Sequence, residues 1–208
     1  MRCGCGCFLL AVMLALLVVA LAWGAWQLLQ PPDIPPVRVT AADAQRAQQK
    51  LYAAANRSRG AEPIALTETE INAFLVRNLR QIGDVRLSDF RVRLPGRGEV
   101  EIAASTTLGA VLREAPFGAA GELLPRGWLD WPVWVHLTAA PRVERGDGTR
   151  TVLRLDVQEF RLGRQRLPAL AARLLLDPSA TRLLHLPLPD GVETVSAEPG
   201  RVVIRFAG

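Results

Sequence analysis

The chain has 208 residues, 50% of them hydrophobic, with 25 Lys and Arg against 20 Asp and Glu and a formal net charge of +5. The charges are interspersed rather than run together, which argues against a nucleic-acid surface. All three cysteines stand within the first seven residues, so the 178 residues from Pro31 onward have no disulfide and must be held by burial, for which one ordinary domain of that length suffices.

The opening MRCGCGCFLL leads into an apolar run over residues 8–29 in which Gln27 is the one clearly polar side chain. As a helix it reaches roughly 33 Å, enough to span a bilayer. Trp23 and Trp26 fall near its far end, where indoles favour the headgroup layer. Arg2 and the amino terminus flank the near end, while the far flank has no Lys or Arg before Arg38, so charge bias puts the N-terminus in the cytoplasm and the rest outside. A cleaved signal peptide is the competing reading, because Ala20-Leu21-Ala22 has the form of a processing site. Cleavage there leaves an exposed apolar stub, which favours retention as an anchor. Cys3, Cys5 and Cys7 precede the apolar run, unlike a bacterial lipoprotein cysteine, and their spacing does not suit a zinc knuckle. They read as small residues at a helix start, with thiol modification or a shared metal as the alternatives.

Residues 1–30 are thus the cytoplasmic stub and transmembrane helix, 31–39 a proline-rich linker and 40–208 the extracytoplasmic domain. The prolines of the linker favour extended geometry, which predicts a spacer holding the domain roughly 20 Å off the membrane. Thr40 with Asp43 three residues on forms a capping pattern for an alanine-rich helix that packs lightly or serves as a stalk. LTETEINAFLVRNLRQIG predicts a second helix, capped by Thr67 and Glu70, stapled by Leu66 and Ile71, striped by Ile71, Phe74, Leu75, Leu79 and Ile82, and stopped at Gly83.

Three hairpins follow. Phe90, Val92 and Leu94 alternate with Arg91 and Arg93, turn at residues 95–98, and return through Val100, Ile102 and Ala104, with Glu99 and Glu101 facing the two arginines on a solvated side. Val133, Val135 and Leu137 alternate with Trp134 and His136 and pair, across a turn at residues 146–148, with Leu153, Leu155 and Val157; a phase shift near Gln158 suggests a bulge. Pro168 opens a short Leu-rich helix, and Val192 to Phe206 turns at Pro199-Gly200. The order predicts an α+β domain, a curved antiparallel sheet of hairpins with one or two helices on one face.

Little in the chain speaks of catalysis. His136, on the outward phase of a strand, and His185 stand alone, and no nucleophile motif or phosphate loop is present. The chain reads as neither an enzyme nor a holder of a metal or cofactor. Trp128, Trp131 and Trp134 read as core and sheet-edge packing, or as a groove lip or membrane-touching patch. Arg161, Arg164, Arg166 and Arg173 surround the Leu-rich helix and read as solvated arginines or as a seat for an anionic headgroup. Residues 109–127 form an apolar connection that serves as a lid or a covering loop.

The anchor, the proline-rich spacer, the helix start LTETEINAFL, the hairpin, FRLGRQRLPALAARLL and the closing LPDGVETVSAEPGRVVIRF together resemble bacterial single-pass envelope proteins of the YpmS-like type, which in turn resemble the tubular lipid-binding (TULIP) superfamily. The likeness covers residues 64–208 in order of elements. It implies a strongly curved sheet wrapped on a helix, leaving an apolar groove for acyl chains. Here the groove would be lined by Ile71, Phe74, Leu75 and Leu79 on the helix and by Phe90, Val92, Val133 and Val135 on strands; the same residues serve equally as a closed core. The expectation is a single-pass protein of the bacterial inner membrane, its domain facing outward and binding or transferring a lipid or other amphiphile. The alternative is a tethered scaffold that recruits an envelope protein through an exposed strand or the Trp segment, without a ligand cavity.

Overall fold

The computed structural model describes residues 4–56, 62–79, 81–82, 85–114, 124–145, 151–167, 185–189 and 191–207. These form an α+β structure in which every strand pair is antiparallel. Helix α1 (Gly4–Leu29) contains the stretch Leu10–Leu29, long and apolar enough to cross a membrane and 0% buried against the rest of the chain. Trp23 and Trp26 are 65% and 63% exposed near its C-terminal end.

Helix α2 (Ala41–Ala55) starts as its sequence dictates: the Thr40 hydroxyl accepts from the Asp43 N–H at 3.3 Å, and the Asp43 carboxylate accepts from the Thr40 N–H at 2.9 Å. It is not a stalk. Ala44, Ala47 and Ala54 are buried, because side chains this small let α2 lie close to its neighbours, strand β1 (Ile64–Thr67) and helix α3 (Glu68–Asn78). Lys50 fixes the contact by donating both to the Ala65 carbonyl and to the Glu70 carboxylate, each at 2.8 Å.

The second capping box is also present, with Thr67 accepting from the Glu70 N–H and Glu70 accepting from the Thr67 N–H at 2.9 Å. The helix is shorter than its stripe predicts. It ends at Asn78, and β2 (Gln81–Ile82) pairs with β3 (Val85–Arg86), so Ile82 belongs to a strand; the expected stop, Gly83, lies outside the described residues.

Strands β4 (Ser88–Gly96) and β5 (Glu99–Thr107) form the first hairpin. Helix α4 (Leu108–Glu114) then occupies the start of what the sequence suggests is an open loop, and a short helix α5 (Arg126–Leu129) leads to β6 (Pro132–Arg145). In the second hairpin β6 faces β7 (Thr151–Leu162). Thr138 stands opposite Glu159 while Ala139 stands opposite Val157, leaving Gln158 as the extra residue of the expected bulge. Strands β8 (Gln165–Leu167) and β9 (His185–Pro187) both pair with β7. The turn at 146–148 and the Leu-rich helix expected after Pro168 lie outside the described residues. The chain closes with β10 (Val192–Glu198) and β11 (Arg201–Phe206).

The hairpins do not share one sheet. Strands β4 to β8, with β9, make the larger sheet, whereas β10 and β11 join β1 in a second one, in the order β1-β11-β10. Ile64 and Leu66 of β1 alternate inward and β1 pairs with β11, so the expected staple and cap residues Leu66 and Thr67 also belong to a strand. Two of the apolar clusters among the described residues form around these elements. One gathers Ala47, Ile64, Leu66, Ile204 and Phe206; the other gathers Val92, Leu94, Val100 and Ala197, and Ile71 of α3 packs against both.

A polar clamp holds α3 to β4. Asn72, 2% exposed, accepts from the Val92 N–H at 2.7 Å and donates to the carbonyls of Val92 at 2.7 Å and Glu68 at 2.8 Å. Among the described residues the edge strand β4 has no ladder partner on this side, so the amide stands in for a neighbouring strand. Truncation by Asn72→Ala leaves a buried N–H and C=O unpaired and is expected to cost about 2–4 kcal/mol in chemical denaturation of the full chain in detergent. A cost below about 0.5 kcal/mol would remove the clamp from the account.

Candidate functional site

The proline-rich segment is not a spacer. Residues 31–36 lie as a strap across the larger sheet, on the face that carries Arg91, Arg93, Glu101, Ala103, Trp134, His136 and Arg161. Ile34 is 4% exposed and packs on Ala103 and Trp134. Its carbonyl accepts from the Arg91 guanidinium at 2.7 Å, and that guanidinium also lies over the Trp134 ring, 4.5 Å from the centroid. At the upstream end of the strap the Arg164 N–H donates to the Gln27 carbonyl of α1 at 3.0 Å, and the Arg164 guanidinium reaches Asp33 at 3.1 Å. Four prolines within six residues restrict the free chain, so laying it down costs less conformational entropy than an ordinary linker would.

This docking overturns the solvated-face reading of the first two hairpins. Only Arg93 and Glu101 face each other in register, with 3.9 Å between charged atoms; Arg91 stands opposite Ala103, and Glu99 opposite Gly96. His136, expected on an outward phase, is 6% exposed because the strap covers that phase. It lines a cavity of about 170 Å³ with Asp33, Arg93, Glu101, Arg161 and Arg164. Its Nε2 has no hydrogen-bond partner among the described residues. Burial, together with the positive charge of Arg161, holds the imidazole below its ordinary pKa despite the opposing charge of Glu159.

The arginines expected to seat an anionic headgroup are occupied. Arg161 makes a two-pronged contact with Glu159 at 2.7 and 2.9 Å, Arg166 reaches the same carboxylate at 2.6 Å, and Arg164 is paired with Asp33. The hydrogen bond from Arg161 holds the Glu159 carboxyl below its usual range against the opposing effect of burial, and the Glu159 contact raises the Arg161 guanidinium in turn. Arg173 lies outside the described residues. Among the described residues no three His, Cys, Asp or Glu side chains gather as a metal-holding group.

A larger opening lies where the strap meets the end of α3. This cleft has a volume of about 450 Å³. Pro36 and Val37 form one wall, Val76 of α3 and Leu79 just past its end a second, and Leu87 and Phe90 a third, with Ser88, Asp89 and Arg91 as its polar side. It opens at an irregularity in β4: Ser88 faces Ser105 and Arg91 faces Ala103, so three steps along β4 match two along β5. Asp89, in that bulge, has a φ of 48°, a left-handed conformation uncommon for a residue with a side chain.

Of the groove residues expected from sequence, Leu79 and Phe90 line this cleft. The other six do not line it. Val92 and Val133 are closed core, at 2% and 0% exposure, while Ile71, Phe74 and Leu75 pack into the two apolar clusters, and Val135 lies half-buried on β6. The remaining wall residues, Pro36, Val37, Val76 and Leu87, had no signal in the hydrophobic pattern, since two belong to the linker and Val76 faces away from the helical stripe. Trp134 is buried, whereas Trp128 and Trp131 are exposed. No protein-family model matches the chain, and no curated protein matches it in sequence.

The buried imidazole gives stability a pH dependence of known sign. The unfolded chain takes up a proton near His136 below about pH 6.5 while the folded chain resists it, so stability is retained above that pH and falls on acidification below it. Thermal or denaturant unfolding of the full chain is expected to show a loss of stability between pH 7 and pH 5.5, bounded by about 1 kcal/mol, that is absent in His136→Phe. Equal losses in both would place the proton uptake elsewhere.

Proposed function

We propose that this chain is a single-pass protein of the bacterial cytoplasmic membrane, with its N-terminus inside, whose outward domain binds the apolar part of a lipid or related amphiphile in the cleft between strap, α3 and β4. The observation that carries this reading is the cleft itself. Its volume of about 450 Å³ falls within the roughly 300–1,000 Å³ of small-molecule sites. Apolar side chains from three separate segments wall it, and Val76 is 45% exposed there instead of being buried by a neighbour. One wall is the segment that connects directly to α1, which gives a bilayer lipid a short route to the opening. The likeness to tubular lipid-binding proteins agrees with such a role, though the opening lies at the end of the helix and not along the length of the sheet. Arg91 is held by Ile34 and Trp134, so the polar side of the cleft offers chiefly Ser88 and Asp89 to a ligand.

The test uses the full chain in vesicles containing a lipid with a photoreactive acyl chain. Adducts are expected on residues 76–91 as well as on α1. Filling the opening with Val76→Trp should lower the adducts on residues 76–91 at least about fivefold, while Val76→Ala should retain them. Adducts confined to α1 in every version would overturn the lipid reading and leave the tethered scaffold in its place.

A further inference from the structure

We propose that Trp128 and Trp131 are a second membrane contact of this chain, a stacked indole pair seated in the headgroup layer of the bilayer that α1 crosses. The inference rests on the membrane-anchor part of the reading above and is independent of the cleft.

The two rings stack with centroids 5.1 Å apart and planes inclined by 20°, yet they are 46% and 37% exposed. A pair of large aromatic surfaces held together and left open to solvent is costly unless something covers it. The pair is also presented rigidly. The Trp131 N–H donates to the Trp128 carbonyl at 3.2 Å, and the Trp131 carbonyl accepts from the Leu108 N–H at 2.9 Å, which ties the turn to the start of α4.

What covers the pair follows from where it sits. Trp131 immediately precedes β6, and three residues on, the Trp134 carbonyl accepts from the Gly163 N–H at 2.6 Å. The next N–H, that of Arg164, binds the Gln27 carbonyl at the outer end of α1. Three residues span at most about 11 Å, so Trp131 lies within one short stretch of strand of the hydrogen bonds that tie β6 and Arg164 to the end of α1. Trp23, one turn before Gln27, and Trp26, the residue before it, are exposed at the same end of α1. Headgroup layers are several Å deep on each side of the hydrocarbon and are the preferred environment of indole rings. Exposed Arg126, two residues before Trp128, adds a cation suited to anionic lipid. The bilayer is therefore the occupant that the chain itself brings to this surface.

The experiment uses the full chain carrying Trp23→Phe and Trp26→Phe, reconstituted in phosphatidylcholine–phosphatidylglycerol vesicles with a fraction of headgroup-spin-labelled lipid. Trp128, Trp131 and the buried Trp134 then remain as fluorophores. Emission is expected to fall at least about twofold, as for indoles at the interface. Adding Trp128→Phe and Trp131→Phe should remove most of that quenching. Three results would overturn the proposal: no quenching in vesicle-bound protein, the same fractional quenching with and without the pair, or indoles unquenched by lipid yet shielded from aqueous iodide, which would assign the surface to a second copy of the chain. Failure of the chain to float with the vesicles would instead overturn the membrane anchor.

Discussion

The Arg164 N–H hydrogen-bonded to the Gln27 carbonyl, with Gly163 beside it, fixes the domain to the end of the apolar helix. Gly163 has a φ of +59°, and a Cβ at that position would run into the backbone carbonyls of Gln27 and Leu28. Only glycine satisfies both the left-handed turn and the close approach. One backbone hydrogen bond contributes only about 1 kcal/mol, so the junction depends equally on the strap that follows it. Burial of Ile34 adds roughly 1.5–3 kcal/mol. The Arg91 contacts and the low entropy of a proline-rich segment act in the same direction.

Several features of the domain follow from that junction. The strap covers part of one face of the larger sheet, so residues with the polar alternation of a solvated surface become an interface there, and His136 is buried with no partner for its Nε2 among the described residues. The same strap supplies Pro36 and Val37 to the cleft, coupling the proposed ligand site to the segment that follows the apolar helix. A domain on a loose tether would have neither of these relations to the apolar helix.

Local chemistry was legible in the sequence wherever it is short-range. Both capping boxes, the three hairpins, the Gln158 bulge and the α+β class are settled by neighbours a few residues apart, and the structure has them. Long-range partnerships were not. Strand β1 owes its existence to β11, about 140 residues away, and four residues reading IALT carry no signal that such a partner exists. Asn72 sits on a helix where it looks like an ordinary polar residue, and its clamp on Val92 requires the edge of β4 beside it. The candidate site was legible only in part for the same reason. Leu79 and Phe90 stood out by periodicity, but the walls from Val37 and Val76 arise from the strap folding back, which proline content alone reads as extension away from the domain.

The distance between anchor and domain tests the docked strap most directly. Spin labels are placed at Gly24, which faces open space on α1, and at the exposed Arg142 of β6, in a full chain whose three cysteines are replaced by serine and which is embedded in a lipid nanodisc. Pulsed electron-electron resonance is predicted to give one narrow distance distribution, broadened by Gly163→Val. A broad distribution in the unaltered junction, unchanged by that substitution, would contradict the account.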